Sequence, residues 1–184
     1  MKKFLQKSTA VLVAGAATLG AMSIATTAHA ENERFVFISH APDSDSWWNV
    51  IKNAVKHASD DMKVTVEYRN PPTGDLADMA RIVEQAVATN PNGIILSIAD
   101  FDTLEGPLEK ARLRGIPFIT MNSVTDMQSK ALGALMHSGQ LEFAAGLGAG
   151  ERGKKEVFKS FLCVNHYITN PASVELCMGF AKGL

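Results

Sequence analysis

Four short apolar runs recur along this chain: Arg34–Ile38, Val64–Tyr68, Ile94–Ile98 and Phe118–Met121. Three of them lead into stretches with apolar residues at helical spacing: Trp48, Ile51, Val55 and Ala58; then Leu76, Met79, Val83 and Val87; then Leu104, Leu108, Ala111 and Leu113. Strands alternating with helices of about ten to fifteen residues call for crossover connections, hence a parallel sheet covered on both faces. The expected fold is therefore α/β, a doubly wound parallel sheet. Asn70-Pro-Pro-Thr-Gly74 and Asn90-Pro-Asn-Gly93 punctuate the alternation, and Asp75 is placed to cap the second helix. Further on, the pattern predicts a fifth strand over Ala131–Met136, a helix over Leu141–Lys154, a sixth strand over Phe158–Val164 and a last helix over Ala172–Gly183.

The region before the first strand has a different character. Lys2, Lys3 and Lys7 precede an apolar stretch, Val11–Ile24, and Ala28-His29-Ala30 follows it. Small residues one and three places before a scissile bond suit a signal peptidase, so residues 1–30 read as a signal peptide cleaved after Ala30 and the protein as periplasmic. The apolar stretch, about fourteen residues, is shorter than the roughly twenty that span a bilayer. Removing residues 1–30 takes three of the 18 basic residues and none of the 19 acidic ones, leaving a net charge of −4 without a basic block. Nucleic acid is accordingly not expected as a partner. The two cysteines, Cys163 and Cys177, would be free to pair in an oxidising compartment, or to serve as small core residues.

In an open parallel sheet, ligands sit outside the carboxyl ends of the strands. The segments there are polar and aromatic: Ser39 to Trp48 after the first strand, Ala99 to Asp102 after the third, Asn122-Ser123 after the fourth. A sugar needs carboxylate and amide partners for its hydroxyls and a flat apolar ring against its C–H face. Asp45, Asp100 and Asn122 are candidates for the first, with His40 beside them, and Trp47 or Trp48 for the second. Adjacent helical positions point about 100° apart, so one tryptophan is expected to be core. Asp100 has a second reading as a helix N-cap, although Asp102 suits that role better.

Taken in order, Phe35-Val-Phe-Ile-Ser39, Asp45-Ser-Trp-Trp48, Asn92-Gly-Ile-Ile95, Gly115-Ile-Pro-Phe-Ile-Thr-Met-Asn122, His137-Ser-Gly-Gln140, Phe161-Leu-Cys-Val-Asn-His166 and Gly179-Phe180 resemble the periplasmic sugar-binding proteins of ABC transporters. The resemblance, to proteins of the type I periplasmic-binding fold similar to ribose-binding protein, implies a sugar held between two lobes. It implies a permease and its ATPase as partners, with a chemoreceptor or sensor kinase as a further expectation, and no cofactor. It matches Asp45, Trp47, Trp48, Asp100 and Asn122 to ligand contacts, with Asn165 and His166 as candidates on the second lobe. Leu176 stands where the family often presents an arginine. The family's chain crosses the hinge three times, whereas this sequence crosses once, near Met136–Gln140. The expectation is thus an N-terminal lobe over 31–136 and an incomplete second lobe over 137–184, with closure and stability impaired.

Other motifs point elsewhere weakly. Gly148-Ala-Gly-Glu-Arg-Gly153 has the letters of a dinucleotide fingerprint but lies within an amphipathic run, and reads as close helix packing. His40, His57, His137 and His166 lack zinc-ligand spacing, so no metal site is expected. The rival readings are a periplasmic carbohydrate-active enzyme using Asp100 and His40 as an acid and base pair, a transcriptional regulator's effector domain, and a truncated inactive product.

Overall fold

The computed structural model describes residues 33–165 and 170–184. The predicted leader and His166 lie outside the described residues. Five strands, β1 (Arg34–Ile38), β2 (Thr65–Arg69), β3 (Gly93–Ser97), β4 (Phe118–Met121) and β5 (His137–Ser138), form a sheet in the order β2-β1-β3-β4-β5. Every adjacent pair is parallel. The helices are α1 (Ser46–Met62), α2 (Leu76–Ala88), α3 (Phe101–Leu113), α4 (Asp126–Ala131), α5 (Glu142–Lys155) and α6 (Pro171–Gly183).

The pleat sorts side chains to two faces, and each face has its own helices. Val36, Ile38, Ile94, Leu96 and Phe118 point to α2 and α3, where Met79, Val83, Leu104 and Leu108 are fully buried against them. Full burial of such a side chain stabilises by about 1.5–3 kcal/mol. Phe37 and Ile95 point the other way, to Trp48, Ile51 and Val55 of α1. The doubly wound α/β reading therefore holds. Beside α1, an apolar trough of about 350 Å³ over Phe35, Phe37, Ile95 and Ile119 remains open. Its lining is almost wholly hydrocarbon, which gives a ligand nothing to orient it.

Local chemistry sets the helix boundaries. Asp45, Asp75, Asp100 and Asn170 each cap a helix through a side-chain oxygen that accepts backbone N–H groups. Lys63 closes α1 in the left-handed region, at φ 55°.

Two expected strands are corrected. Ala131 ends a helix rather than opening a strand, because Thr125 and Gln128 form a reciprocal capping box that starts α4 at Asp126. Pairing with β4 begins only at Leu135, whose N–H reaches the Phe118 carbonyl, and regular strand follows at His137. The segment 158–164 forms no strand. Its residues have the strand pattern, but no described strand lies alongside to complete a ladder, and Leu162 and Val164 are exposed.

α5 and α6 pack on each other along glycines. A Cβ on Gly146 would meet the Leu176 carbonyl, one on Gly150 the Phe180 carbonyl, and one on Gly179 the Phe143 carbonyl. Gly150 and Gly153 of the Gly148–Gly153 motif thus serve close packing, whereas Gly148 faces open space. Neither hydrophobic core cluster of the sheet draws a residue from this helix pair. Among the described residues, no helix is long and apolar enough to cross a membrane.

Candidate functional site

The chain leaves β1 and β4 at their carboxyl ends, and at that edge a cavity of about 350 Å³ opens between the sheet and the helix pair. From the sheet side come His40, Asp45, Trp47, Trp48, Asn122 and Ser123; across from them lie Gln140, Glu142, Asn170, Ser173 and Leu176.

Asp45 builds the first wall. Its Oδ1 accepts from the Trp47 and Trp48 N–H groups at 2.9 and 3.3 Å, which starts α1 and sets both indoles at the mouth. Trp48 is 5% exposed and packs with Phe37 and Ala41, while Trp47 is 52% exposed. Their rings meet edge to face with centroids 5.0 Å apart. One tryptophan is core, as the helical geometry requires, yet both line the cavity.

His40 is held from behind. Its N–H donates to Ser97 Oγ at 3.0 Å, its Nδ1 lies 2.8 Å from the same oxygen, and its ring stands edge-on to Trp48. Nearby, Tyr68 donates to Ser39 Oγ at 2.9 Å. Burial pushes the Tyr68 hydroxyl above its ordinary pKa; the Ser39 hydrogen bond opposes this, and the Asp45 and Asp43 carboxylates add to the rise.

Past β4 the backbone is unusual. Asn122 sits at φ 61°, a region an asparagine tolerates, and accepts from Ser123 Oγ at 2.7 Å. Val124 sits at φ 117°, which a β-branched side chain rarely adopts. This strain lies directly beside the cavity wall, since Ser123 lines it.

The far wall comes from the starts of two helices. Gln140 Nε2 donates to both oxygens of Glu142, at 2.8 and 2.7 Å, at the beginning of α5. Asn170 is buried, its Oδ1 accepts from the Ala172 N–H at 3.0 Å, and Pro171 opens α6.

The structure gathers His40, Asp45, Trp47, Trp48 and Asn122 around one space. Asp100 is not in the lining: its Oδ1 accepts from the Thr103 N–H at 2.8 Å and caps α3, the role Asp102 was expected to fill. Asn165 lies outside the lining as well. Cys163 and Cys177 are joined as a disulfide with Cα atoms 5.9 Å apart, which ties the 158–165 segment to α6. Glu142, Asn170 and Ser173 were missed; the Asn170-Pro171 pair, a helix-start signal, was the available pointer.

The periplasmic binding protein domain matches residues 35–184. Among solved structures, a carbohydrate transporter from Acidothermus cellulolyticus 11B, in complex with myo-inositol, is 31% identical, with a TM-score of 0.77. The match covers 83% of this chain and 52% of that one. A periplasmic sugar binding protein of an ABC sugar transporter from Legionella pneumophila is 22% identical, with a TM-score of 0.73, covering 83% and 56%. A glucose-galactose binding protein from Geobacillus stearothermophilus is 19% identical, with a TM-score of 0.71, covering 83% and 54%. The chain thus spans about half the length of these solved structures. No curated protein matches it. With residues 35–184 matched and the parallel sheet shared, this chain belongs to the periplasmic binding protein domain family.

Proposed function

We propose that the chain is the solute-binding component of an ABC transporter and captures a small sugar or cyclitol in the cavity at the carboxyl edge of the sheet. The observation that carries this reading is the convergence there of a half-exposed indole, Trp47, with Asp45, Asn122, Gln140, Glu142, Asn170 and Ser173. An indole face suits the C–H face of a pyranose or cyclitol ring, and the carboxylates and amides suit its hydroxyls. The relative bound to myo-inositol, at 31% identity, supports the same class of ligand.

Residues from both sides of the crossing near Met136–Gln140 face the cavity, so a ligand touching both would favour the closed arrangement and shift the equilibrium toward it. A permease with its ATPase would read that closure. Export to the periplasm, with cleavage after Ala30, belongs to the same proposal. A chemoreceptor or sensor kinase finds no support among the relatives, which are described as transporter components. No catalytic role is assigned: Asp100 Oδ1 serves α3, and His40 Nδ1 lies on Ser97.

Thermal-shift measurement of the purified chain against hexoses, pentoses, inositols and their amino and acidic derivatives tests the proposal. A specific ligand at about a hundred times its Kd stabilises by about 2.7 kcal/mol. A panel in which no compound raises Tm would overturn the reading.

A further inference from the structure

Resting on the reading of this cavity as a sugar site, we propose that it selects by charge, taking a sugar that carries an amino group ahead of the uncharged sugar and disfavouring carboxylated or phosphorylated ones. The described lining contains two carboxylates, Asp45 and Glu142, and no lysine or arginine. Leu176, an uncharged apolar residue, occupies the far wall. Asp43, outside the lining, adds a third acid, whose Oδ1 accepts from the neutral amide of Asn70 Nδ2 at 2.9 Å. Burial is the main cause that raises the Tyr68 hydroxyl's pKa, and the nearby Asp45 and Asp43 carboxylates add to the rise.

Three helix starts also face this space, and their positive ends work in the opposite direction. Each is already met by a side-chain oxygen of the chain or carries an acid in its first turn: Asp45 Oδ1 on α1, Asn170 Oδ1 on α6 and Glu142 in α5. A helix end is equivalent to about half a charge against a full charge on each carboxylate, so the balance stays negative. An ammonium would gain attraction there, and a carboxylate or phosphate would find neither lysine nor arginine in the described lining, where the titratable nitrogen-bearing side chain is His40, its Nδ1 lying on Ser97 Oγ. Asp45 Oδ1 is committed to α1, which leaves Oδ2 for the ligand. Glu142 is oriented by the Gln140 amide, which brings no charge of its own.

The test uses matched sets of glucose, glucosamine and glucuronate, and of galactose, galactosamine and galacturonate, titrated calorimetrically into the purified chain beside the neutral sugars and inositols of the thermal panel. The expected order within a set is amine, neutral, acid, with the amine on the order of tenfold tighter than the acid at low salt. The spread should collapse at about 1 M salt, where the Debye length is about 3 Å. It should also collapse in the Asp45→Asn, Glu142→Gln double variant, which keeps the cap and side-chain shapes while removing both charges. Acid binding as tight as amine overturns the charge proposal. So does a spread that survives in the double variant, or binding of neutral sugars or inositols while every charged member and its parent fail. If no sugar or cyclitol binds at all, the sugar reading itself fails.

Discussion

Trp47 and Trp48 are sequence neighbours with different work, and single substitutions separate them. Trp47→Ala removes a half-exposed ring at the cavity mouth; affinity should fall on the order of tenfold, about 1.4 kcal/mol, with Tm nearly unchanged. Trp48→Ala leaves a hole beside Phe37 and should cost about 3–5 kcal/mol of stability by denaturant unfolding. Asp45 couples site to fold, because Asp45→Ala should cost about 1 kcal/mol through the lost cap while Asp45→Asn retains the acceptor. His137 makes a pH-dependent contribution. Its Nδ1 lies 2.8 Å from Thr120 Oγ1, its Nε2 is buried without a partner, and burial lowers its pKa from 6.5, with Asp126 opposing. Below pH 6.5 the unfolded chain takes up a proton that the folded chain resists, so stability declines as pH falls from 6.5 toward the folded value. Glu67 is held below its ordinary pKa by Arg69 and Arg34, and its contribution is lost only at lower pH, below 4.5. Melting curves of wild type and His137→Asn between pH 7 and pH 5 should diverge, the wild type losing Tm more steeply.

At the scale of elements, the α5–α6 pair makes a prediction of opposite signs from two glycines in one helix. Gly146→Ala drives a Cβ into the Leu176 carbonyl and should destabilise by about 1–3 kcal/mol, while Gly148→Ala meets nothing and should stabilise by up to about 1 kcal/mol. Thermal melts of the two variants decide it. Such a pair shows where the sequence was readable and where it was not. The strands expected over 34–38, 94–98 and 118–121 match β1, β3 (Gly93–Ser97) and β4 to within a residue, because buried parallel strands are short continuous apolar runs. That glycines mark close helix contact was legible too, but which ones depends on the crossing of two helices distant in sequence. The 158–164 run shows the limit, since periodicity reports a preference for extended chain and only a neighbouring strand converts it into a ladder. The site follows the same division. His40 and Asn122 reach the cavity lining because they closely follow β1 and β4, and Asp45 because it caps α1; Asp100 follows a strand as well, yet its carboxylate turns back to cap α3. Glu142 and Ser173 were not found, because they reach the cavity only through the placement of helices after the crossing.

For the molecule as a whole, the disulfide and the crossing decide how firmly the far wall is held. Cys163 and Cys177 close a loop of sequence separation 14, which by chain entropy stabilises by about 3 kcal/mol. Unreduced protein should show no reactive thiol, and reduction should lower Tm, as should Cys163→Ser with Cys177→Ser under oxidising conditions. The wall matters because Glu142, Asn170 and Ser173 stand beyond the crossing, while the tryptophans stand before it. A ligand that bridges them would bring two separately packed bodies under one constraint, which is the physical content of capture and release. Titrating the purified chain with myo-inositol and a set of hexoses, hexosamines and pentoses, while following tryptophan fluorescence, reads this bridging at the indoles themselves. The account predicts a saturable change for at least one of these compounds that is lost in Trp47→Phe, Trp48→Phe and weakened in Asn122→Ala and Ser173→Ala. A signal that never saturates for any of them, or one left undiminished by Asn122→Ala and Ser173→Ala together, would contradict it.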